Sequence, residues 1–355
     1  MASDLRQMWT AADLGWRCEP APAGIREFHA KLPGYVPTPL VDAPELAASL
    51  GVGRVLVKDE SARLGLPAFK ALGASWAVHL LLTGRPAGTA LTLVTATDGN
   101  HGRAVARTAR LFGQRAVVYV PEGVHPAAVA AIGDEGATVV AVPGPYDEAV
   151  RRAAAHPGGT LVQDTAWPGY ERVPGWIVDG YSTLFAELDD RLPTAPDLVV
   201  VPAGVGSLAQ AAVTHYRSGS ARPALLTVEP ETAACVLASL TAGEPVTVPT
   251  GETALAGLNC GTVSSLAWPL LRDGLSAAVA VTDEETAAAA QALAAAGVPA
   301  GPCGAASLAG ARAALPALDL PPSATIVLLS TEGREANPSS ITKQALGMIL
   351  PNRFR

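Results

Sequence analysis

Lysine is scarce in this 355-residue chain. Of its 25 basic residues only Lys31, Lys58, Lys70 and Lys343 are lysines, and the remainder are arginines. Where arginine is the default cation, a lysine among apolar neighbours raises a chemical question, because lysine can lose its charge and arginine cannot. Cysteine is equally sparse. Cys18, Cys235, Cys260 and Cys303 form no CxxC pair and share no metal-ligand spacing with histidine, so no metal site is expected. There is no basic run and the net charge is −7, which argues against a nucleic-acid partner. No apolar run is long enough to cross a bilayer, and the first residues, Met1 to Arg6, contain no apolar signal core. A cytoplasmic protein without a membrane partner is expected.

What is present is apolar and alternating. At 49% hydrophobic residues the chain can build two cores, and its length exceeds one simple domain. Short β-branched runs alternate with Ala-rich stretches, the pattern of parallel sheets covered by helices. Strands are expected at Arg54–Lys58, Leu91–Thr97, Ala116–Val120, Thr138–Val142, Leu161–Gln163, Leu198–Val201, Leu225–Val228, Ala277–Val281 and Thr325–Leu329. Helices are expected between them, among them Phe69–Leu82, Gly102–Phe112, Tyr146–Ala155, Ile177–Asp189, Leu208–Tyr216 and Ala305–Leu315. Pro245–Gly261 has no periodicity and reads as a long irregular loop of the kind that carries function.

Four segments carry chemistry. In Leu66-Pro67-Ala68-Phe69-Lys70-Ala71-Leu72-Gly73 a lysine opens a helix among apolar residues. Burial should depress its pKa and leave an amine able to attack an aldehyde; the plain alternative is a surface lysine. Thr97-Asp98-Gly99-Asn100-His101-Gly102 follows a strand and opens a helix, setting Asp98, Asn100 and His101 at a strand's C-terminal end, where open α/β sheets bind ligands. The alternative is a capped turn with Asp98 or Asn100 as N-cap. Val201-Pro202-Ala203-Gly204-Val205-Gly206-Ser207 is again strand, glycine loop, helix, suited to a phosphate. It is neither a P-loop nor a dinucleotide fingerprint, since Ala209 stands at the third glycine position. Finally, Leu328-Leu329-Ser330-Thr331 ends a buried strand in hydroxyls that could bond a heteroaromatic nitrogen.

Together, in this order, the four segments resemble the tryptophan-synthase-like, fold type II pyridoxal-phosphate enzymes. With Val57-Lys58-Asp59-Glu60-Ser61, Val162-Gln163-Asp164-Thr165-Ala166-Trp167 and Ser330-Thr331-Glu332-Gly333, the chain resembles the diaminopropionate ammonia-lyase family from about Pro37 to Gly333. Asp98 is the discriminating residue, because serine and threonine dehydratases typically carry Ser there. The resemblance implies an α/β fold of two lobes, each with a mostly parallel sheet: a large one of residues 1–75 and 185–355 and a small one of 76–184. It implies pyridoxal 5′-phosphate on Lys70 as a Schiff base, and a homodimer. Asn100 would bond the cofactor's phenolic oxygen, Gly204, Val205, Gly206 and Ser207 its phosphate, and Ser330 its pyridine nitrogen. Asp98 and Asp164 would act as bases, and with His101 and Cys260 would face a small amino-acid substrate. The implied reaction eliminates ammonia from 2,3-diaminopropionate, leaving pyruvate.

The chain also departs from the family. Pro302-Cys303-Gly304-Ala305 stands where the family has Glu-Ser-Gly-Ala, and Arg334-Glu335-Ala336 replaces Asp-Thr-Asp. Cys235 and Cys260 lie where the family can carry a cysteine pair; a disulfide is not expected in a reducing compartment. A serine or threonine dehydratase, a β-replacement enzyme and a non-catalytic cofactor-binding protein remain alternatives, although mere binding would need neither Asp98 nor Asp164.

Overall fold

The structure, a computed structural model, describes residues 8–11 and 15–336; Lys343 lies outside them. The β-branched runs assemble into two sheets. The larger contains β1 (Met8–Thr10), β2 (Leu40–Asp42), β3 (Arg54–Asp59), β8 (Leu198–Pro202), β9 (Ala224–Pro230), β10 (Ala277–Val281) and β11 (Thr325–Ser330) in the order β1-β10-β9-β8-β11-β3-β2. Its interior pairs are parallel; only the edge strands β1 and β2 run antiparallel to their neighbours. The smaller sheet is wholly parallel. It contains β4 (Thr92–Ala96), β5 (Arg115–Pro121), β6 (Thr138–Val142) and β7 (Thr160–Leu161) in the order β6-β5-β4-β7.

The helices are α1 (Ile25–His29), α2 (Pro44–Leu50), α3 (Ala71–Leu82), α4 (Asn100–Leu111), α5 (Pro126–Asp134), α6 (Tyr146–Ala154) and α7 (Arg172–Gly180). They continue with α8 (Ser182–Arg191), α9 (Ser207–Ser218), α10 (Cys235–Ala242), α11 (Ala267–Gly274), α12 (Asp283–Ala295) and α13 (Pro302–Ala314). Every expected strand is found, its ends moved by at most two residues, with Leu161–Gln163 reduced to Thr160–Leu161. The three-residue edge strands β1 and β2 are too short to show a period, and α11 is masked by Pro269 in its first turn. The expected helix Ile177–Asp189 is corrected to two, α7 and α8. Near the break the chain tightens to i−3 hydrogen bonds, from Tyr181 N to Val178 O and from Leu184 N to Tyr181 O. The junction packs directly on α3: a Cβ on Gly180 would stand 2.7 Å from Leu72 O and 2.8 Å from Gly73 Cα.

The chain reaching Lys70 is held by a buried ionic cluster. Glu187 of α8 accepts from Lys58 Nζ at 2.6 Å and from Arg63 Nη1 at 2.6 Å, and Arg63 also bonds Glu60 at 2.6 Å. Tyr35 and the Thr38 amide complete the shell of Glu187. All four charged groups are essentially inaccessible to water, so each depends on its partners for the solvation it has lost. Burial pushes Glu187 up, but Arg63 and Lys58 outweigh it and bring the carboxyl down to about 2.

Glu187→Gln should therefore cost about 3–5 kcal/mol of unfolding free energy, because Lys58 and Arg63 stay buried without their counter-ion. The folded carboxyl is the stronger acid. Its contribution is complete above the unfolded value of roughly 4.3 and is lost as the pH falls towards about 2. Urea unfolding of both proteins at neutral and acid pH measures this; a loss within 1 kcal/mol would refute the account.

Candidate active site

Parallel strands leave their C-terminal ends as the natural place for a site. One cavity collects residues from the ends of β4, β7, β8 and β11 and from the loop before α3. It is lined by Lys70, Asp98, Asn100, His101, Asp164, Gly204, Val205, Gly206, Ser207 and Cys260, all singled out in the sequence. Ser330 lies fully buried at the end of β11 and is not part of the lining. The irregular stretch Pro245–Gly261 contains no strand, only a 3-10 turn at Ala256–Leu258, and gives Gly257, Leu258 and Cys260 to the wall.

Lys70 stands at the N-cap of α3. Its loop is sewn to the end of β11 by the hydrogen bonds Phe69 N to Thr331 O and Glu60 N to Ser330 O. Of the described lysines, Lys31 is exposed and Lys58 is consumed by Glu187, which leaves Lys70 to face the cavity. Its Nζ donates to Asp164 Oδ2 at 2.6 Å. This corrects the expected depressed pKa. Burial does disfavour the ammonium, but the Asp164 carboxylate outweighs it and holds Lys70 above the ordinary lysine range.

The two aspartates are in opposite states. Burial alone would raise Asp164, but the Lys70 ammonium hydrogen-bonded to it at 2.6 Å, with the His101 ring close by, holds it well below the usual carboxylate range. Asp98 has no such cation; burial and the Asp164 charge push it up to about 7. Of the two expected bases, only Asp98 is raised towards neutral pH. Nor is Asp98 or Asn100 the cap of α4. Thr97 Oγ1 accepts from Gly99 N at 2.9 Å and from Gly102 N at 3.0 Å, which leaves the Asp98 carboxyl at the cavity wall.

His101 contributes an oriented ring. Val162 O can only accept, so Nε2, 2.8 Å away, carries the hydrogen; burial lowers the imidazole pKa and favours the neutral ring. Nδ1 then lies 3.7 Å from Asp164 Oδ2, without a hydrogen-bond partner among the described residues. Asn100 Nδ2 donates to Glu332 Oε2 at 2.5 Å, and Glu332 Oε1 accepts from Cys303 N at the start of α13. Pro302 occupies the first turn of that helix, where its missing N–H costs nothing. Cys235 and Cys260 are free thiols on either side of Gly204: Cys235 Sγ is 3.6 Å from Gly204 O, and a Cβ on Gly204 would meet Cys260 Sγ at 3.0 Å.

These residues fit pyridoxal phosphate. Gly206 takes φ +94° as the N-cap of α9, so the first N–H groups of that helix, which have no intrahelical acceptor, open onto the cavity where a phosphate can sit. Gly204 keeps the floor of that cradle clear of side chain. Ser330 Oγ is fully buried and has no hydrogen-bond partner among the described residues, as a hydroxyl kept for a heteroaromatic nitrogen requires. Sequence reasoning missed Thr97, Gln163, Tyr146 and Glu332 as parts of the site. Thr97 and Glu332 lay inside motifs already marked; Tyr146 carried no local signal.

Comparison with known proteins agrees with this geometry. Residues 31–332 match the family of pyridoxal-phosphate dependent enzymes. The diaminopropionate ammonia-lyase of Escherichia coli strain K12 is 40% identical over 274 residues, covering 70% of this chain and 68% of the relative. That of Salmonella typhimurium is 38% identical over 291 residues, covering 73% and 72%. The crystal structure of the Escherichia coli enzyme in complex with D-serine superposes with a TM-score of 0.85 at 32% identity, covering 93% of this chain and 95% of that one. The same enzyme has also been solved with an aminoacrylate–PLP reaction intermediate, at a TM-score of 0.83. The chain belongs to the diaminopropionate ammonia-lyase family within the pyridoxal-phosphate dependent enzymes.

Proposed function

We propose that the chain catalyses α,β-elimination of ammonia from 2,3-diaminopropionate, yielding pyruvate and ammonia. The observation that carries this reading is the pair of carboxyls, Asp98 and Asp164, lining one cavity with the Lys70 amine. When bound, pyridoxal phosphate withdraws electrons from the substrate's Cα, so that its proton can be removed and a β-substituent expelled.

The protein's own residues do the rest. The N–H groups at Gly204, Val205, Gly206 and Ser207 hold the phosphate, with the α9 dipole favouring its charge. Lys70 would hold the cofactor covalently, which requires that its proton be given up and the Asp164 pair broken. Asn100 and Ser330 would hold its ring, at the phenolic oxygen and the pyridine nitrogen. The neutral Ser330 hydroxyl would leave that nitrogen largely unprotonated, which suits rapid expulsion of a β-group. Asp98 and Asp164 take the Cα proton, one from each enantiomer, while His101 and Cys260 border the substrate.

The reading includes two lobes, 1–75 with 185–355 and 76–184, supported by the two separate sheets. It includes a cytoplasmic homodimer, for which light scattering on the purified protein is the test; no helix of the described residues is long and apolar enough to cross a membrane. Dehydration of serine or threonine uses the same residues. β-Replacement, in which a nucleophile adds where ammonia left, is favoured by Pro302 in place of the family's Glu at the start of α13. Keto-acid release from a panel of diaminopropionate, serine, threonine and cysteine derivatives separates these readings.

Borohydride reduction of the holoenzyme should fix the cofactor on Lys70, read by peptide mapping, and Lys70→Ala should abolish turnover with the fold intact; an adduct on Lys31 or Lys58 would overturn the assignment. Asp98→Asn should lower turnover of D-diaminopropionate by roughly 10²–10⁴-fold, and Asp164→Asn that of the L-isomer. Because Asp98 must be ionised to act as a base, wild-type turnover of the D-isomer should rise with pH through about 7. Equal losses on both isomers in both variants would move the base to Lys70.

A further inference from the structure

Tyr146 opens α6 and lines the cavity with Lys70, Asp98 and Asp164. The direction of its hydroxyl can be deduced. Gln163 is fully buried, and its Oε1 accepts from Ala96 N at 3.0 Å and from Thr95 Oγ1 at 2.9 Å. A backbone N–H can only donate, so the amide is locked with its oxygen on that side. Gln163 Nε2 therefore faces Tyr146 and donates to the phenolic oxygen at 2.8 Å. The phenolic oxygen is thus an acceptor on its Gln163 side, and its own hydrogen is free to be donated elsewhere.

Elimination of an amine needs a proton at the leaving nitrogen as well as a base at Cα. With the D-isomer, Asp98 must be ionised to act as the base and Asp164 is held as the anion, so neither begins as a suitable donor. We propose that Tyr146 is a catalytic residue that donates its phenolic proton to the departing β-nitrogen; this rests on the elimination reading above. Starting from the neutral β-amine, the Cβ–N bond breaks and its electron pair stays with nitrogen. The O–H bond of Tyr146 breaks as the new N–H bond forms, and ammonia leaves neutral. The aspartate that received the Cα proton returns it to the phenolate, so one proton passes from Cα to nitrogen and no oxidant or reductant is consumed. Burial, with Asp164, Asp98 and Cys260 close by, holds Tyr146 well above the ordinary phenol range, so it keeps its proton until a strongly basic nitrogen develops.

The test compares two leaving groups in Tyr146→Phe holoenzyme. On 2,3-diaminopropionate kcat should fall by roughly 10²–10⁴-fold. On 3-chloroalanine, whose chloride departs without a proton, the fall should be far smaller, and the same sample then reports that the site is folded. Alanine, which has no β-group to expel, should bind the variant as it binds the wild type by calorimetry. Equal losses on both substrates, or weakened alanine binding, would make Tyr146 a structural residue and overturn the proposal. In a second variant, 3-fluorotyrosine at position 146 keeps the shape and lowers the phenol pKa. The alkaline limb of the diaminopropionate pH profile should then move to lower pH, and an unmoved limb would also overturn the proposal. A wild-type holoenzyme that eliminated from neither substrate would instead refute the underlying reaction, and this role with it.

Discussion

The site is organised around the ion pair between Lys70 and Asp164. At 2.6 Å it joins the start of α3, beside the large sheet, to the loop after β7 of the small one. Each neighbour of Asp164 has a further task. His101 stands 3.7 Å from its carboxylate with the ring oriented by Val162 O, and Gln163 fixes the chain on its other side. The carbonyl of Asp164 accepts from Ser207 Oγ at 2.9 Å, tying it to the first residue of α9, the helix proposed to hold the phosphate. Amine, acid and cradle are thus one connected set, and a shift in any of them is felt by the others.

The pair also sets the protonation states. In water Asp98 and Asp164 would have similar acidities; the single ammonium of Lys70, placed against one of them, drives them apart. Asp164 is stabilised as the anion, and its negative charge adds to desolvation in raising Asp98 to about 7. Two like groups with separated acidities are the usual means by which one pocket performs more than one proton transfer. Holding Lys70 charged has a consequence of its own. The amine is nucleophilic only after it loses a proton, so on the proposed assignment loading of the cofactor on Lys70 would be coupled to release of Asp164, whose carboxylate would then be free for the substrate.

Much of this was legible in the sequence because the chemistry sits in local strand–turn–helix segments. Lys70, Asn100 and the glycines at 204 and 206 line the cavity at the ends of the strands that their motifs follow or adjoin, and Ser330 ends β11 behind it. What was not legible depends on contacts between distant segments. The charge of Lys70 follows from Asp164, 94 residues away, and not from the apolar residues around it. Gly99 is the N-cap residue of α4, and it is Thr97 whose hydroxyl the backbone aims at the amides of Gly99 and Gly102, a choice invisible among the polar residues Thr97, Asp98 and Asn100. Tyr146 belongs to the site only because Gln163 and the strand end at Ala96 hold it there. The division of α7 from α8 comes with close packing against α3, while Ile177–Asp189, with one glycine and no proline, would tolerate one helix.

The central claim is that this arrangement of lysine and two aspartates eliminates ammonia and releases the carbon skeleton. Its most direct test is the product balance of the purified holoenzyme with 2,3-diaminopropionate, following ammonia and pyruvate together. Elimination followed by hydrolysis of the released enamine predicts two molecules of ammonia for each pyruvate, with no added nucleophile required. Consumption of the substrate without pyruvate, or only in the presence of a nucleophile that appears in the product, would contradict it.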